Sequence, residues 1–313
     1  MNSVYVKMPV SIVIPTYRRE QVLLDTIRYL QDLNPPPAEL LIVDQSEQHE
    51  AATTTALQAW HEEGRIRWLR LSHPSVTHAM NTGLLEARNE IVIFVDDDII
   101  PDQRLLTSHV LAQAEDFINI VAGQVLQPGE EEVAESPEGG EFLFCSGKRR
   151  WVRELIGCNF SVKKSTALAL GGFDENFLRV AYRFEAEFCD RAISAGEKIL
   201  FEPAASIRHL KAGAGGTRAY GEHLTTIKPH HAVGAYYYLL RARHVKRRWW
   251  QILLRPLRAV RTRHHLRRPW WIPVTLVSEL GGIIWAMLLF LRGPALLPPA
   301  RAPSAALTKP HVR

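Results

Sequence analysis

Three consecutive carboxylates, Asp96, Asp97 and Asp98, follow directly on the apolar run Ile91-Val-Ile-Phe-Val95. Adjacent acids repel one another, and a fold keeps them together only where a cation or open water relieves the cost. A hard divalent ion with oxygen ligands, Mg²⁺ or Mn²⁺, is the natural partner, and one held by one or two carboxylates also takes the oxygens of a diphosphate. The plain alternative is a solvated acidic turn that caps the helix after Pro101. Farther along, Glu185 and Glu187 sit near the start of a helical stretch, where acids also simply complement the helix dipole. His209 ends an apolar run just before Lys211-Ala-Gly-Ala-Gly-Gly-Thr-Arg218. A lone histidine is more often structural than ligating.

The elements that must position these groups read as an α/β pattern. Residues 10–14 and 39–43 are apolar runs closed by Pro15 and Asp44, as expected of buried strands in a parallel sheet. Between them Val22, Leu23, Thr26, Ile27, Leu30 and Leu33 recur at helical spacing, and Pro35-Pro36-Pro37 stops that helix. Residues 66–71 read as a third strand, 78–88 as a helix and 91–95 as a fourth strand. This alternation predicts a Rossmann-like, mostly parallel sheet flanked by helices. In such sheets ligands bind beyond the carboxyl ends of the strands, the edge that Asp96 to Asp98 occupy. Residues 128–140, rich in Gly, Glu and Pro, read as a mobile loop. Beyond it come a strand at 157–162, a short helix at 163–170 stopped by Gly171-Gly172, and a helix at 185–195 closed by Gly196. Two strands, 199–201 and 205–209, follow.

At 313 residues and 46% apolar composition the chain supports one large domain plus an appendage. Three cysteines without a CxxC pair suggest neither a disulfide framework nor a zinc cluster, and a reducing cytosol fits best. The first apolar run, closed by Pro15, reads as a strand rather than a signal peptide. Residues 1–222 hold 22 Lys/Arg against 32 Asp/Glu, whereas residues 223–313 hold 16 against one. The split suggests two parts, 1–222 and 223–313, with different partners.

The basic part sets arginines beside Trp249-Trp250 and Trp270-Trp271, the pairing that a membrane interface favours. Between Arg268 and Arg292 lie 23 residues without Lys or Arg, long enough to span a bilayer at about 1.5 Å per residue. Pro269, Pro273, Glu279 and Gly281-Gly282 interrupt them, and a central acid costs roughly 2.5–3.5 kcal/mol on insertion. An interfacial or re-entrant helix pair on an anionic membrane surface is therefore expected, peripheral or monotopic, ahead of a single span. Nucleic acid is not an expected partner.

Several motifs together resemble family 2 glycosyltransferases of the GT-A fold. Val10-Ser-Ile-Val-Ile-Pro-Thr-Tyr-Arg-Arg19 is similar to the opening strand and loop, Leu41-Ile-Val-Asp-Gln-Ser46 to the second strand, and Phe94-Val-Asp-Asp-Asp98 to the DXD motif. Gly171-Gly-Phe-Asp-Glu175 and the acidic helix after it resemble the acceptor side. The resemblance covers about residues 8–220, with a nucleotide-sugar half at about 8–125 and an acceptor half at about 140–222.

The resemblance implies transfer of a sugar, with inversion, from a nucleotide-diphosphate sugar to an acceptor hydroxyl, dependent on Mn²⁺ or Mg²⁺. Pro15, Thr16 and Tyr17 would lie against the base and Asp44 would hydrogen-bond it. Asn81, Asp96 and Asp97 would serve the nucleotide side, with Asp96 touching ribose or sugar. Asp98 would ligate the metal and His209 the metal or diphosphate, while Arg218 would meet phosphate from a flexible glycine-rich loop. Asp174 and Glu175 would hold sugar hydroxyls. Alignment on Arg191 and Gly196 puts Glu185 at the base position with Glu187 in support, and either glutamate remains open as the base. Phe184, Met80 and Gln45-Ser46 depart from the usual pattern, which bears on donor identity. A glycan or lipid-linked acceptor at the cytoplasmic face of a membrane, in cell-surface polysaccharide or glycolipid synthesis, completes the expectation. The alternative is a non-catalytic, membrane-bound nucleotide-sugar-binding module.

Overall fold

The computed structural model describes residues 7–137, 142–221 and 223–298. Residues 138–140 of the acidic loop, Glu222 at the expected domain boundary and the end of the tail, 299–313, lie outside the described residues.

Strands and helices alternate through the first half of the chain: β1 (Met8–Thr16), α1 (Gln21–Gln31), β2 (Pro37–Asp44), α2 (Ala51–Glu62), β3 (Arg67–Arg70), α3 (Val76–Glu86) and β4 (Ile91–Val95). Next come β5 (Ile99–Pro101), α4 (Leu105–Ala114), β6 (Ile120–Leu126), β7 (Arg150–Val152), β8 (Asn159–Lys163), α5 (Lys164–Ala169), α6 (Phe184–Ser194) and β9 (Ile199–His209). The sheet runs β3-β2-β1-β4-β8-β6-β9-β5, with β7 on β9. It is parallel through β3, β2, β1 and β4 and again between β6 and β9; β8, β5 and β7 pair antiparallel. The α/β class with helices flanking one central sheet is as the sequence predicts, parallel in its first half and mixed beyond.

Why the first strands are continuously apolar follows from their two buried faces. Val10, Ile12 and Ile14 pack into one core with α1, while Val13 packs into the other with α3. A Cβ on Gly83 of α3 would stand 2.2 Å from a Val13 methyl, so only glycine lets α3 lie this close to β1. The two strands expected at 199–201 and 205–209 form one strand, β9, whose register shifts opposite Gly123 and Gln124. All three cysteines are buried and free.

Among the described residues four α-helices follow β9, α7 (Val233–Arg241), α8 (Arg248–Val260), α9 (Arg263–Arg267) and α10 (Trp271–Arg292). Tyr236 and Tyr237 of α7 and Ala286 and Leu289 of α10 are buried in the same core as Phe94 and Phe173. The break in charge near residue 222 is therefore not a break in the hydrophobic core. In place of the expected helix pair, α10 is one unbroken helix of 22 residues, long and apolar enough to cross a membrane by length and composition. Pro273 lies in its first turn, where no intrahelical N–H is required. At Gly282 a Cβ would stand 2.6 Å from that of Ala232, so the glycines there seat α10 against the start of α7 instead of breaking it. Glu279 is inside: the Tyr236 hydroxyl donates to it at 2.7 Å and Arg255 Nε lies 3.1 Å away.

Candidate active site

The carboxyl ends of β1 and β4 emerge side by side because the two strands are parallel neighbours, which brings Thr16 next to Asp97. Thr16 Oγ1 donates to Asp97 Oδ2 at 2.6 Å, and Arg19 Nε lies 3.0 Å from Asp97 Oδ1. The Thr26 hydroxyl on α1 accepts the Ile99 N–H and donates to the Asp97 carbonyl, both at 3.1 Å, fixing the backbone of the acidic turn. Antiparallel pairing of β5 with β9 sets Ile99 opposite His209 and so delivers the histidine to Asp98.

There His209 Nε2 lies 3.1 Å from Asp98 Oδ1 and 3.6 Å from Asp96 Oδ2, while its Nδ1–H donates to Gln127 Oε1 at 3.0 Å. A ring held by Nδ1 presents Nε2 to a ligand. Asp98 Oδ1 is buried, and its partner Oδ2 accepts the Ala212 N–H at 2.7 Å. Ligand atoms of Asp96, Asp98 and His209 all fall within 4.8 Å of one another, a two-carboxylate, one-imidazole set suited to Mn²⁺ or Mg²⁺. Burial alone would raise Asp98, but His209, the Ala212 N–H and Arg19 outweigh it and hold the carboxyl below its ordinary value. Asp97 goes the other way: burial pushes it up to about 7 against the pull of Arg19 and Thr16. Both Asp97 oxygens are occupied by those two residues, so it braces the turn. Asp96, given to ribose or sugar by the resemblance, falls in the group that could hold a metal.

Pro15, Thr16, Tyr17, the three aspartates, His209 and Arg218 line one cleft of about 170 Å³. The glycine-rich segment is packed down over it. Gly216 N–H donates to the Tyr17 carbonyl at 2.8 Å, and a Cβ on Gly215 (φ 78°) would stand 2.2 Å from the Arg18 carbonyl oxygen. Tyr220 stacks on Tyr17 at 6.2 Å, and Arg218 Nη1 donates to the Lys211 carbonyl at 2.6 Å.

Other expected residues lie elsewhere. Asp44 is fully buried, its Oδ2 held by His49 (2.9 Å) and Trp68 Nε1 (3.0 Å) and its Oδ1 by the Ser46 N–H (2.8 Å). The Asp44 and Glu20 carboxylates hold His49 above its ordinary value against the opposing effect of burial. Asn81 exchanges two hydrogen bonds of 2.8 Å with the Phe173 backbone and donates to Glu175, tying α3 to the Gly-Gly-Phe-Asp-Glu turn. Asp174 accepts from the Tyr237 hydroxyl (2.7 Å) and the N–H groups of Asn176 and Ala295 (3.0 Å each), joining that turn to the C-terminal helices. None of these four lines the cleft.

The two glutamates of α6 have different surroundings. Glu187 is buried in a two-point pair with Arg191 (2.8 and 3.0 Å), which also donates to the Leu170 and Gly172 carbonyls. Glu185 has no ion pair of this kind among the described residues and lies against Gly157, where a Cβ would stand 2.9 Å from its Oε1. Burial pushes Glu185 up to about 7, with the charge of Asp96 adding to the rise, against the backbone N–H groups that lower it. A carboxyl poised near neutrality and electrically coupled to the aspartate turn can take a proton at working pH.

Sequence reasoning missed Arg19, Gln45, Arg179, Lys211 and Tyr220, all in the cleft wall. Arg18 and Arg19 are adjacent, and only the left-handed turn at Arg18 (φ 53°) sends the first out to Glu47 and the second in to Asp97 and Asp98.

The Glycosyl transferase family 2 profile matches residues 11–168, half of the chain. The chain belongs to glycosyl transferase family 2. It is a glycosyltransferase, and solved structures of similar shape bear out its GT-A architecture. The mannosyltransferase PcManGT from Pyrobaculum calidifontis, in complex with GDP-Man and Mn²⁺, superposes with TM-score 0.55 at 20% identity, covering 92% of this chain and 80% of that one. GalNAc-T7 with UDP, GalNAc and Mn²⁺ superposes with TM-score 0.55 at 13% identity, covering 75% of this chain; the chain spans half of that structure's length. No curated protein sequence matches the transferase.

Proposed function

We propose that the transferase moves a sugar, with inversion, from a nucleotide-diphosphate sugar to an acceptor hydroxyl, using Mn²⁺ or Mg²⁺. One observation carries this reading: Asp98 Oδ1 is buried and ionised and meets, at 3.1 Å, the Nε2 of a histidine whose other nitrogen is already held. Asp96, Asp98 and His209 would hold the ion, and when bound it would neutralise charge on the departing diphosphate. Both similar structures carry a nucleotide or nucleotide-sugar with Mn²⁺, which supports the same donor class. Thr16 and Tyr17, in the cleft wall, would meet the nucleotide, and Arg218 with Lys211 its phosphates. Glu185 takes the proton of the acceptor hydroxyl as that oxygen forms a bond to the anomeric carbon, while the bond from that carbon to the diphosphate oxygen breaks. Screening UDP-, GDP- and dTDP-sugars for thermal stabilisation tests the reading. At about 100 times Kd one of them is expected to add about 2.7 kcal/mol, only with Mn²⁺ or Mg²⁺ present; failure of all of them overturns it.

The same reading gives Glu187 a positioning role. Glu187→Gln is expected to lower stability by about 1–3 kcal/mol, because the part-buried Arg191 loses its charged acceptor, while turnover stays within a few-fold. Chemical denaturation beside a turnover assay checks both, and loss of turnover without loss of stability would make Glu187 the base.

We place the transferase at the cytoplasmic face of a membrane, working on a glycan or lipid-linked acceptor in surface polysaccharide or glycolipid synthesis. Support comes from α10, which buries Thr275, Ser278, Glu279 and Gly282 on its inner face and leaves Leu276, Leu280, Ile284 and Leu288 exposed. After α10 the chain returns to the catalytic half, where Leu297 N–H donates to the Gly171 carbonyl at 2.8 Å. A helix pinned along one side in this way favours monotopic attachment over a single span.

A further inference from the structure

Beneath α8 lies a cavity of about 510 Å³, separate from the donor cleft and walled by α7, α8, α10 and the segment 180–182. A second hollow of about 560 Å³ opens beside it, lined by Lys246, Arg247 and Trp250, and the two share Gln251 and Arg258. Arg255 is taken by Glu279, but among the described residues no carboxylate pairs with Lys246, Arg247 or Arg258. Three unpaired cations around one opening suit a phosphate, which accepts from arginine at two points. The surroundings are apolar as well as basic. Trp249, Trp250, Leu253 and Leu257 of α8 are 58–64% exposed, and α10 leaves its own leucine stripe uncovered.

The inner cavity reaches toward the reaction. Arg179 lines the donor cleft, while Val180 and Tyr182 line this cavity, so one short segment separates the two, and it leads into α6 and Glu185. Its backbone alternates through left-handed residues, Arg179 (φ 63°), Ala181 (52°) and Arg183 (75°), a costly conformation for side chains other than glycine. Gly234 of α7 clamps it, since a Cβ there would stand 2.3 Å from the Tyr182 carbonyl oxygen.

We propose that the paired hollows are the acceptor subsite and take a phosphate-bearing amphiphile. Its phosphate sits at Arg258, Lys246 and Arg247, its apolar chain lies along α8 and α10, and its hydroxyl points past Tyr182 to Glu185. The proposal rests on the transfer reading above, yet its test is independent of it. The full chain in non-ionic micelles is titrated with dodecyl phosphate, with inorganic phosphate and dodecyl maltoside as separate arms. Saturable binding of dodecyl phosphate is expected, about tenfold weaker in Arg258→Gln and unchanged in Arg267→Gln, an exposed cation outside both hollows. Equal weakening by the two variants would reduce the effect to general attraction and overturn the site. Binding of inorganic phosphate as tight as that of dodecyl phosphate would overturn the amphiphile, and equal binding of dodecyl maltoside would overturn the phosphate. Metal-dependent nucleotide-sugar binding, measured on the same Arg258→Gln protein, is expected to match the unaltered chain, so loss of that binding in both proteins marks failure of the donor reading alone.

Discussion

Replacing Glu185 by Gln is expected to lower sugar transfer by about 10³-fold while leaving metal-dependent donor binding unchanged. Positioned general bases contribute roughly 10²–10⁴-fold, and glutamine keeps the shape of the side chain while removing its capacity to take a proton. The site favours this residue because burial outweighs the backbone N–H groups and the more weakly felt charge of Arg183, whereas Glu187 is held in a two-point pair by Arg191. The pH dependence carries the same signature. The base must be ionised to act, and Glu185 is pushed up to about 7, so kcat/KM is expected to fall about tenfold per unit as pH drops below 7 and to level off above it. Initial rates at saturating metal across that range, on both proteins, check it. A Glu185→Gln protein that turns over at the unaltered rate removes Glu185 from the mechanism.

Asp98→Ala is expected to abolish the thermal stabilisation that a nucleotide sugar gives in the presence of Mn²⁺, a loss of about a hundredfold or more in donor affinity. Asp98 is the most deeply buried member of the group formed with Asp96 and His209, and it is held ionised by its surroundings. On the proposed reading its loss would remove the central anionic ligand, a larger effect than the roughly 10–100-fold that follows from disturbing groups behind a metal's ligands. The fold has other anchors here. Asp97 remains locked between Thr16 and Arg19, and Thr26 still pins the turn, so circular dichroism and melting without ligand should stay close to the unaltered protein. Stabilisation that survives in Asp98→Ala, and still requires Mn²⁺, would move the ion elsewhere.

The contrast among the three aspartates was not available from their order in the chain. They are adjacent and chemically identical, and what separates them is which neighbours each face of the turn meets. Asp97 turns toward β1 and α1 and becomes a brace, whereas Asp96 and Asp98 turn toward β9 and meet His209. That histidine stands more than a hundred residues later, and antiparallel pairing of β5 with β9 is what makes it a neighbour. Asp44 and Asn81 teach the converse. Both sit where a ligand contact is expected along the sequence, yet His49 and Trp68 engage the first and the Phe173 backbone the second.

What the sequence determined by itself is the chemistry that depends on local runs. Continuous apolar strands, a helix at 3.6-residue spacing and carboxylates at a strand's end are set by neighbours along the chain, and they suffice for the α/β class, the cleft edge and the family resemblance. Only the tertiary structure decided which carboxylates face the histidine, which glutamate an arginine pairs, and that Glu279 inside an apolar helix is not an obstacle to it. Those outcomes turn on burial and charge pairing between segments far apart in sequence. A desolvated acid becomes a ligand, a base or a brace according to the cation or hydrogen-bond donor that folding brings beside it.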